Sequence, residues 1–245
     1  MVFNRLIPRI VVEWDQSRNT FVSILTRGFQ HARKIGDPLS QIRILQSNLV
    51  DEIVLVNRTQ FFSNYFYDLV DTVAREISTP LSVGGAIDSL EQCKNLVSVG
   101  ADKLIIGRNG NNNSLSKSIS DMFGSQSTVF SFDYYTAPDQ DMEEIATSVG
   151  NVVKKGGYGE VILNCISADG GKDGPHLELL SHLYDKIKVP ILVGCGFSKI
   201  SHFAEAYRQG ARGVLTSTYL SNLDQSPKQV RSHLHALGVH IRVRN

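Results

Sequence analysis

Little in this chain invites a polyanion, a membrane or an oxidising compartment. Its 245 residues carry 25 Lys and Arg against 24 Asp and Glu, a formal charge of +1, so the basic excess needed to neutralise a nucleic-acid backbone is missing. Cysteine is scarce: Cys93, Cys165 and Cys195 are odd in number and widely spaced, which argues against a disulfide framework and against a zinc ligand set, and fits a reducing cytoplasm. No apolar run reaches 18 residues, and Met1–Arg5 lead into a charged strand without a signal-like apolar region, so no membrane partner is expected. The histidines His31, His176, His182, His202, His233, His235 and His240 have no metal spacing, and no cofactor or metal is expected.

What the chain does have is a segment written twice. Pro80-Leu81-Ser82-Val83-Gly84-Gly85-Ala86-Ile87 reappears as Pro190-Ile191-Leu192-Val193-Gly194-Cys195-Gly196-Phe197. Each copy is followed at the same distance by a Gly-Ala pair and an apolar run, beginning at Gly100 and Gly210, and every paired position is 110 apart. A period this long is half of a domain rather than a solenoid repeat. Short β-branched runs alternate with amphipathic stretches, the pattern of βα units around a parallel sheet. Strands are expected at 5–12, 51–57, 80–83, 102–106, 127–132, 159–164, 189–193 and 212–216, with helices between them and a last helix near 226–237. Eight such units in this length predict one (β/α)8 TIM barrel over 1–245, with half-barrels of about 1–123 and 124–245. A doubly wound sheet would not explain the repetition.

Barrel enzymes carry their chemistry where strands end. Two of those ends are the turns at Gly84-Gly85 and Gly194-Cys195-Gly196, where small residues let backbone N–H groups approach an anion. Gly107-Arg108 and Ser217-Thr218 end the neighbouring strands. Such a pair could grip a ligand with a phosphate at each end; glycines that only close tight turns would look the same. Cys165 and Cys195 have no local His partner, and Trp14 fits a rim aromatic covering the core.

The series Gly36-Asp37-Pro38, Val83-Gly84-Gly85, Gly100-Ala101-Asp102-Lys103, Phe123-Gly124-Ser125-Gln126, Asp133, Asp169-Gly170 and Gly210-Ala211 resembles the HisF family, the cyclase subunit of imidazole glycerol phosphate synthase, from about residue 5 to 243. The resemblance implies a two-fold-repeated barrel, a phosphorylated ligand held at Gly84, Gly85, Asp169, Gly170, Gly196 and Thr218, to which Arg108, a departure from the family pattern, could add a different anion contact, and a glutaminase (HisH-like) partner that delivers ammonia to the bottom face. The family's catalysis rests on two aspartates. Asp133 stands where one is expected, and Val11 stands where the other is expected. An aliphatic group cannot transfer a proton. Glu13 or Asp15 would have to substitute, although two residues along a strand displace a carboxylate by roughly 7 Å. Other family positions have changed too: a lysine falls within Phe21–Ile24, an aspartate is Asn57, an Asn-Thr pair is Gly107-Arg108, and a third glycine is Ala86. The loop after the fifth strand is short, about Tyr134–Asp141.

The strand starts point the other way. Arg5, Glu52, Lys103 and Glu160 put two cations and two anions at matching depth, where a salt-bridged ring would avoid the cost of isolated buried charges; four separate surface charges is the bland alternative. The resemblance places this set around the entrance for ammonia, and matches Asp102 and Gln126 to positions that engage the glutaminase. An intact entrance beside half of an acid–base pair suggests a barrel that accepts ammonia and passes it on. One branch of the family is associated with a separate ATP-dependent amidotransferase that converts a sugar N-acetyl group for surface polysaccharide. The alternatives are a divergent cyclase (a lyase of histidine biosynthesis), a sugar-phosphate isomerase like the sister enzyme HisA, and a non-catalytic scaffold.

Overall fold

The structure, a computed structural model, describes residues 3–59, 62–107, 110–222 and 225–242. The chain runs β1 (Arg5–Asp15), β2 (Thr20–Arg27), β3 (His31–Gly36), α1 (Pro38–Ser47), β4 (Ile53–Asn57), α2 (Asn64–Glu76), β5 (Leu81–Gly84), α3 (Leu90–Ser98) and β6 (Lys103–Ile106). It continues through α4 (Asn113–Phe123), β7 (Thr128–Tyr134), α5 (Met142–Gly156), β8 (Glu160–Cys165), α6 (Glu178–Tyr184), β9 (Ile191–Gly194), α7 (Ile200–Arg208), β10 (Gly213–Thr216), α8 (Thr218–Asn222) and α9 (Pro227–Ala236).

Local chemistry sets many of these boundaries. Asp37 accepts the Ser40 N–H at 2.7 Å and Pro38 opens α1, so a cap and a preset φ start the helix together. Asp141 caps α5, Glu143 and Glu144 occupy its first turn, and Lys154 and Lys155 its last, each matched to the helix dipole; Gly157 ends it in the left-handed conformation. A reciprocal Ser226–Gln229 capping box starts α9.

The eight parallel strands β1 and β4 to β10 pair in sequence order, and β1 closes the cylinder against β10 through Arg5 with Gly213 and Pro8 with Thr216. The expected (β/α)8 barrel is what forms. The 110-residue offset persists element by element: β5 and β9, α3 and α7, and β6 and β10 begin and end at equivalent positions.

One segment departs from the expectation. Between the first two barrel strands the sequence reading placed only a helix, whereas β2 and β3 form an antiparallel hairpin on an extended β1, with Val11 opposite Ile24 and Asp15 opposite Thr20. Turns at Asn19 (φ 50°) and Gly28 (φ 60°) delimit β2, and its run Phe21–Leu25 is buried throughout, so it never shows the one-sided alternation that marks a half-exposed strand. The hairpin lies over the strand C-terminal ends.

Inside the barrel, side chains stack by depth with the strand period of two. Arg5, Glu52, Lys103 and Glu160 lie at the bottom. Ile7, Val54, Ile105, Val129, Ile162, Leu192 and Leu215 form one aliphatic cluster above them. Arg9, Val11, Val56, Ser131, Asp133 and Asn164 line the mouth. A larger apolar cluster, with Phe66, Phe203 and Leu6 fully buried, fills the space between barrel and helices.

Two glycines separate backbone freedom from crowding. Gly85 has φ 103°, and a Cβ there would stand 1.9 Å from the Asn57 carbonyl oxygen; Gly28 has φ 60° with nothing within 4 Å. Gly28→Ala is expected to cost roughly 1 kcal/mol, and Gly85→Ala roughly 3–4 kcal/mol because the β4 end must move as well. Urea midpoints at unchanged m-value check the ranking.

Candidate functional site

At the bottom of the barrel the four charges form a closed alternating ring. Arg5 meets Glu52 at 2.6 Å and Glu160 at 2.9 Å; Lys103 meets the same two carboxylates at 3.0 Å each. Ser82 adds a hydroxyl donor to Glu52 at 2.6 Å. Burial opposes the charge on Arg5, but Glu52 and Glu160 outweigh it and hold its pKa above the ordinary arginine value. Each carboxylate therefore bridges both cations, the condition under which buried charges are tolerated. Asp102 and Gln126 lie at neighbouring strand starts: Asp102 accepts the Leu81 N–H at 2.8 Å, and exposed Gln126 reaches the Phe123 carbonyl at 3.4 Å.

At the opposite end a cavity of about 260 Å³ opens among the strand C-terminal ends. Its floor is aliphatic, from Val54, Val56, Ile105, Ile162 and Leu215, and its polar groups include Arg9, Asn57, Asp133 and Asn164; the Gly84-Gly85-Ala86 turn forms one wall. Asp133 accepts a hydrogen bond from Asn164 Nδ2 at 2.9 Å. Burial pushes the Asp133 carboxyl above the usual range, and Asn164 and Arg9 offset this only in part.

The barrel's internal repetition locates the counterpart of Asp133 without reference to any other protein. Ile106 and Thr216 are equivalent; Ile106 pairs with Phe130, and Thr216 pairs with Pro8. Phe130 thus corresponds to Pro8, Ser131 to Arg9 and Asp133 to Val11. Among the described residues that line this cavity, Asp133 is the one carboxylate, where two-fold equivalence would allow a pair. Neither expected substitute lines this cavity. Glu13 is engaged by Arg58 at 2.6 Å, and Asp15, on the last position of β1, is held by Lys34 at 2.7 Å and by Ser17. Those donors, Lys34 foremost, keep the Asp15 carboxyl well below the usual carboxylate range and so always ionised at ordinary pH. Both carboxylates serve to tie the hairpin down.

The second glycine turn looks different from the first. Gly170, Gly196 and Thr218 do share a notch with Asp169, Cys195 and Ser217, but it measures only about 20 Å³. Asp169 is committed to structure: it accepts from the Thr26 hydroxyl at 2.8 Å, the Phe29 N–H at 3.1 Å and Arg9 at 3.4 Å. The Asp169–Pro175 segment, which its glycines would let move, is therefore anchored at its start by the hairpin. Arg108 lies outside the described residues. Burial pushes the Cys195 thiol up to about 12, leaving it protonated beside Arg9.

Arg9 is the residue that reading the sequence passed over. It lies in a strand otherwise scored by its aspartate position, and the only available signal was a charge at inward parity between Ile7 and Val11.

Two outcomes test this geometry. A carboxyl whose folded pKa exceeds its unfolded value of 3.8 opposes folding increasingly as pH rises from the unfolded value, in full above the folded one, and has no effect well below the unfolded one. Asp133→Asn is thus expected to raise the urea midpoint at pH 7, with the gain shrinking to nothing as pH falls towards about 4. In the ring, Lys103→Met is expected to cost roughly 3 kcal/mol by leaving Glu52 and Glu160 with one cation, and adding Glu52→Gln should recover part of that loss in a double-mutant cycle.

Comparison with known proteins agrees with this arrangement. Residues 9–223 match the family described as histidine biosynthesis protein. A protein of Prochlorococcus marinus with the provisional name imidazole glycerol phosphate synthase subunit hisF2 is 33% identical over 99% of both chains. Imidazole glycerol phosphate synthase subunit HisF of Exiguobacterium sibiricum is 31% identical over 99% of this chain and 100% of its own. The HisF subunit of Pyrobaculum aerophilum is 32% identical, over 96% and 98% respectively. With a barrel of the expected topology and relatives matched along nearly their whole length, the chain belongs to the histidine biosynthesis protein family, among its HisF members.

Proposed function

We propose that this barrel accepts ammonia at its bottom face from a HisH-like glutaminase, admits it through the Arg5–Glu52–Lys103–Glu160 ring, and releases it at the mouth for a separate enzyme. One observation carries the reading: the ring is complete while the described lining of the larger mouth cavity holds one carboxylate, with Val11 at the position equivalent to Asp133. Ring closure by acid–base catalysis needs a donor and an acceptor of protons, and a valine supplies neither. Above the ring the passage is aliphatic, a lining that suits a small neutral molecule better than an ammonium ion. A cavity of about 670 Å³ beside Arg5 and Glu160, with half-exposed Phe3 and Tyr184 on its wall, gives a partner both apolar surface and charge to hold at the entrance. Asp102 and Gln126 are the further contacts assigned to it.

The acceptor suggested by the family branch is a sugar N-acetyl group, amidated by an ATP-dependent amidotransferase in surface-polysaccharide assembly in the cytoplasm. A second reading is a divergent imidazole glycerol phosphate synthase cyclase; it is favoured by the names of the relatives and by Asp133, a carboxyl at the mouth whose pKa burial pushes above the usual range.

The experiment is turnover of the family's bisphosphate substrate by the purified protein with saturating ammonium salt, beside Asp133→Asn, together with glutaminase activity of a co-expressed HisH-type partner. The expected result is no cyclase turnover above the variant, with glutamine hydrolysis stimulated at least about tenfold by the barrel. Turnover at ordinary enzymatic rates that disappears in Asp133→Asn establishes the cyclase instead.

A further inference from the structure

The two halves of the mouth began from equivalent turns, and only one is open. Residues Gly85, Ala86, Ile105 and Gly107 line the large cavity; their counterparts 110 positions on, Cys195, Gly196, Leu215 and Ser217, line the small notch. Among the described residues, Cys195 in place of Gly85 is one difference between the space of about 260 Å³ and that of about 20 Å³, and strand register identifies a larger one. The first half has Ser131 beside its turn, and the second has Arg9 at the equivalent place.

Arg9 borders both spaces and is 8% exposed. Its Nε donates to Ser217 Oγ at 3.3 Å, Nη1 to Asn164 Oδ1 at 3.2 Å, and Nη2 to Asp169 Oδ1 at 3.4 Å, with Cys195 Sγ within 3.9 Å of both terminal nitrogens. The guanidinium thus spans from β1 across the ends of β9 and β10 and is fastened on three sides. Asp169 balances its charge, and Phe29 of the hairpin covers it at 5.5 Å from the ring centre. The notch that remains has room for about one water, since a water needs roughly 10–15 Å³ measured in this way. Seating a phosphate there would require Arg9 to leave all three partners and strand the buried Asp169 carboxylate, a costly rearrangement.

We propose that Arg9 is a specificity-determining residue: it permanently fills the second anion seat, so the mouth holds a small ligand by one anionic end, a phosphate monoester lodged at the Gly84–Ala86 turn, and gains nothing from a second phosphate at the other end. The inference goes beyond the ammonia route and does not depend on it; it rests only on the mouth being a phosphate site, so the glutaminase experiment can fail and leave it standing.

The test is calorimetric titration with ribose 5-phosphate and ribulose 1,5-bisphosphate as probes of one and two phosphates. The parent protein is expected to bind the two within about threefold of each other, because the second phosphate finds no seat. Arg9→Ser, which copies the Ser131 half, is expected to raise the preference for the bisphosphate at least about tenfold, whereas Arg9→Met, which keeps the bulk without the charge, keeps the parent's ratio. If Arg9→Ser does not fold by circular dichroism, Arg9→Ser with Asp169→Asn removes the orphaned charge and gives the same comparison. A parent protein that already prefers the bisphosphate tenfold overturns the proposal, as does an Arg9→Met variant that loses bisphosphate binding alone, which would make the guanidinium a ligand contact. Failure of the parent to bind either probe overturns it too.

Discussion

The pairing of β1 with β10 is the constraint from which the rest follows. It joins the two ends of the sheet into a cylinder, and its register, Arg5 with Gly213 and Pro8 with Thr216, settles which face of β1 looks inward. Shifting that register by one residue would expel Arg5, Ile7, Arg9 and Val11 together and bring Leu6, Pro8 and Ile10 into the bore. Because every barrel strand obeys the same alternation, three chemically distinct zones stack along one axis: charged, aliphatic, then polar. No single residue creates this gradient. It exists because the strands enter the barrel at matched depth.

Along that axis the two halves have diverged unequally. At the bottom, Glu52, just before β4, and Glu160, opening β8, are two-fold counterparts: β4 and β8 pair with β5 and β9 at equivalent positions, and both carboxylates bridge the same two cations. At the mouth the equivalence is lost, with Val11 against Asp133 and Arg9 against Ser131. A ring of mutually neutralising charges resists piecemeal change because removing one member strands the others. The repeat holds only for the ring's two carboxylates, since Lys103 corresponds to Gly213 and Arg5 to Ser127; at the mouth Arg9 has acquired its own buried partner, Asp169.

The fold was largely legible because a 110-residue repeat, β-branched runs and glycine turns all describe the same βα unit. Arg5, Glu52, Lys103 and Glu160 were legible as a set for a related reason: each opens a strand or, for Glu52, stands one residue before it, so their depth follows from position alone. The hairpin was not, since Phe21–Leu25 is buried on both faces and shows no alternation, and the chain gives no cue that β1 extends past the barrel wall to Asp15. The fate of Asp15 and Glu13 depended on that hairpin, which brings Lys34 to one and whose turn is held, with Glu13, by Arg58. Asp169 likewise reads as a ligand residue until the hairpin's Thr26 and Phe29 are seen to claim it. Contacts between segments over a hundred positions apart leave no local trace in a sequence.

A closed barrel has no sheet edges, and the hairpin gives one back. β3 ends the sheet order, and most of its residues, His31-Ala32-Arg33-Lys34 among them, are exposed. An open strand of this kind is a template on which another chain can add and aggregation can begin. Here the strand is dense in cations, with Arg33 and Lys34 adjacent and Arg27 close by at the turn. Two copies approaching edge to edge would bring like charges together. The cover placed over the mouth thus carries its own protection against self-association, and the molecule gains a lid without gaining a sticky seam.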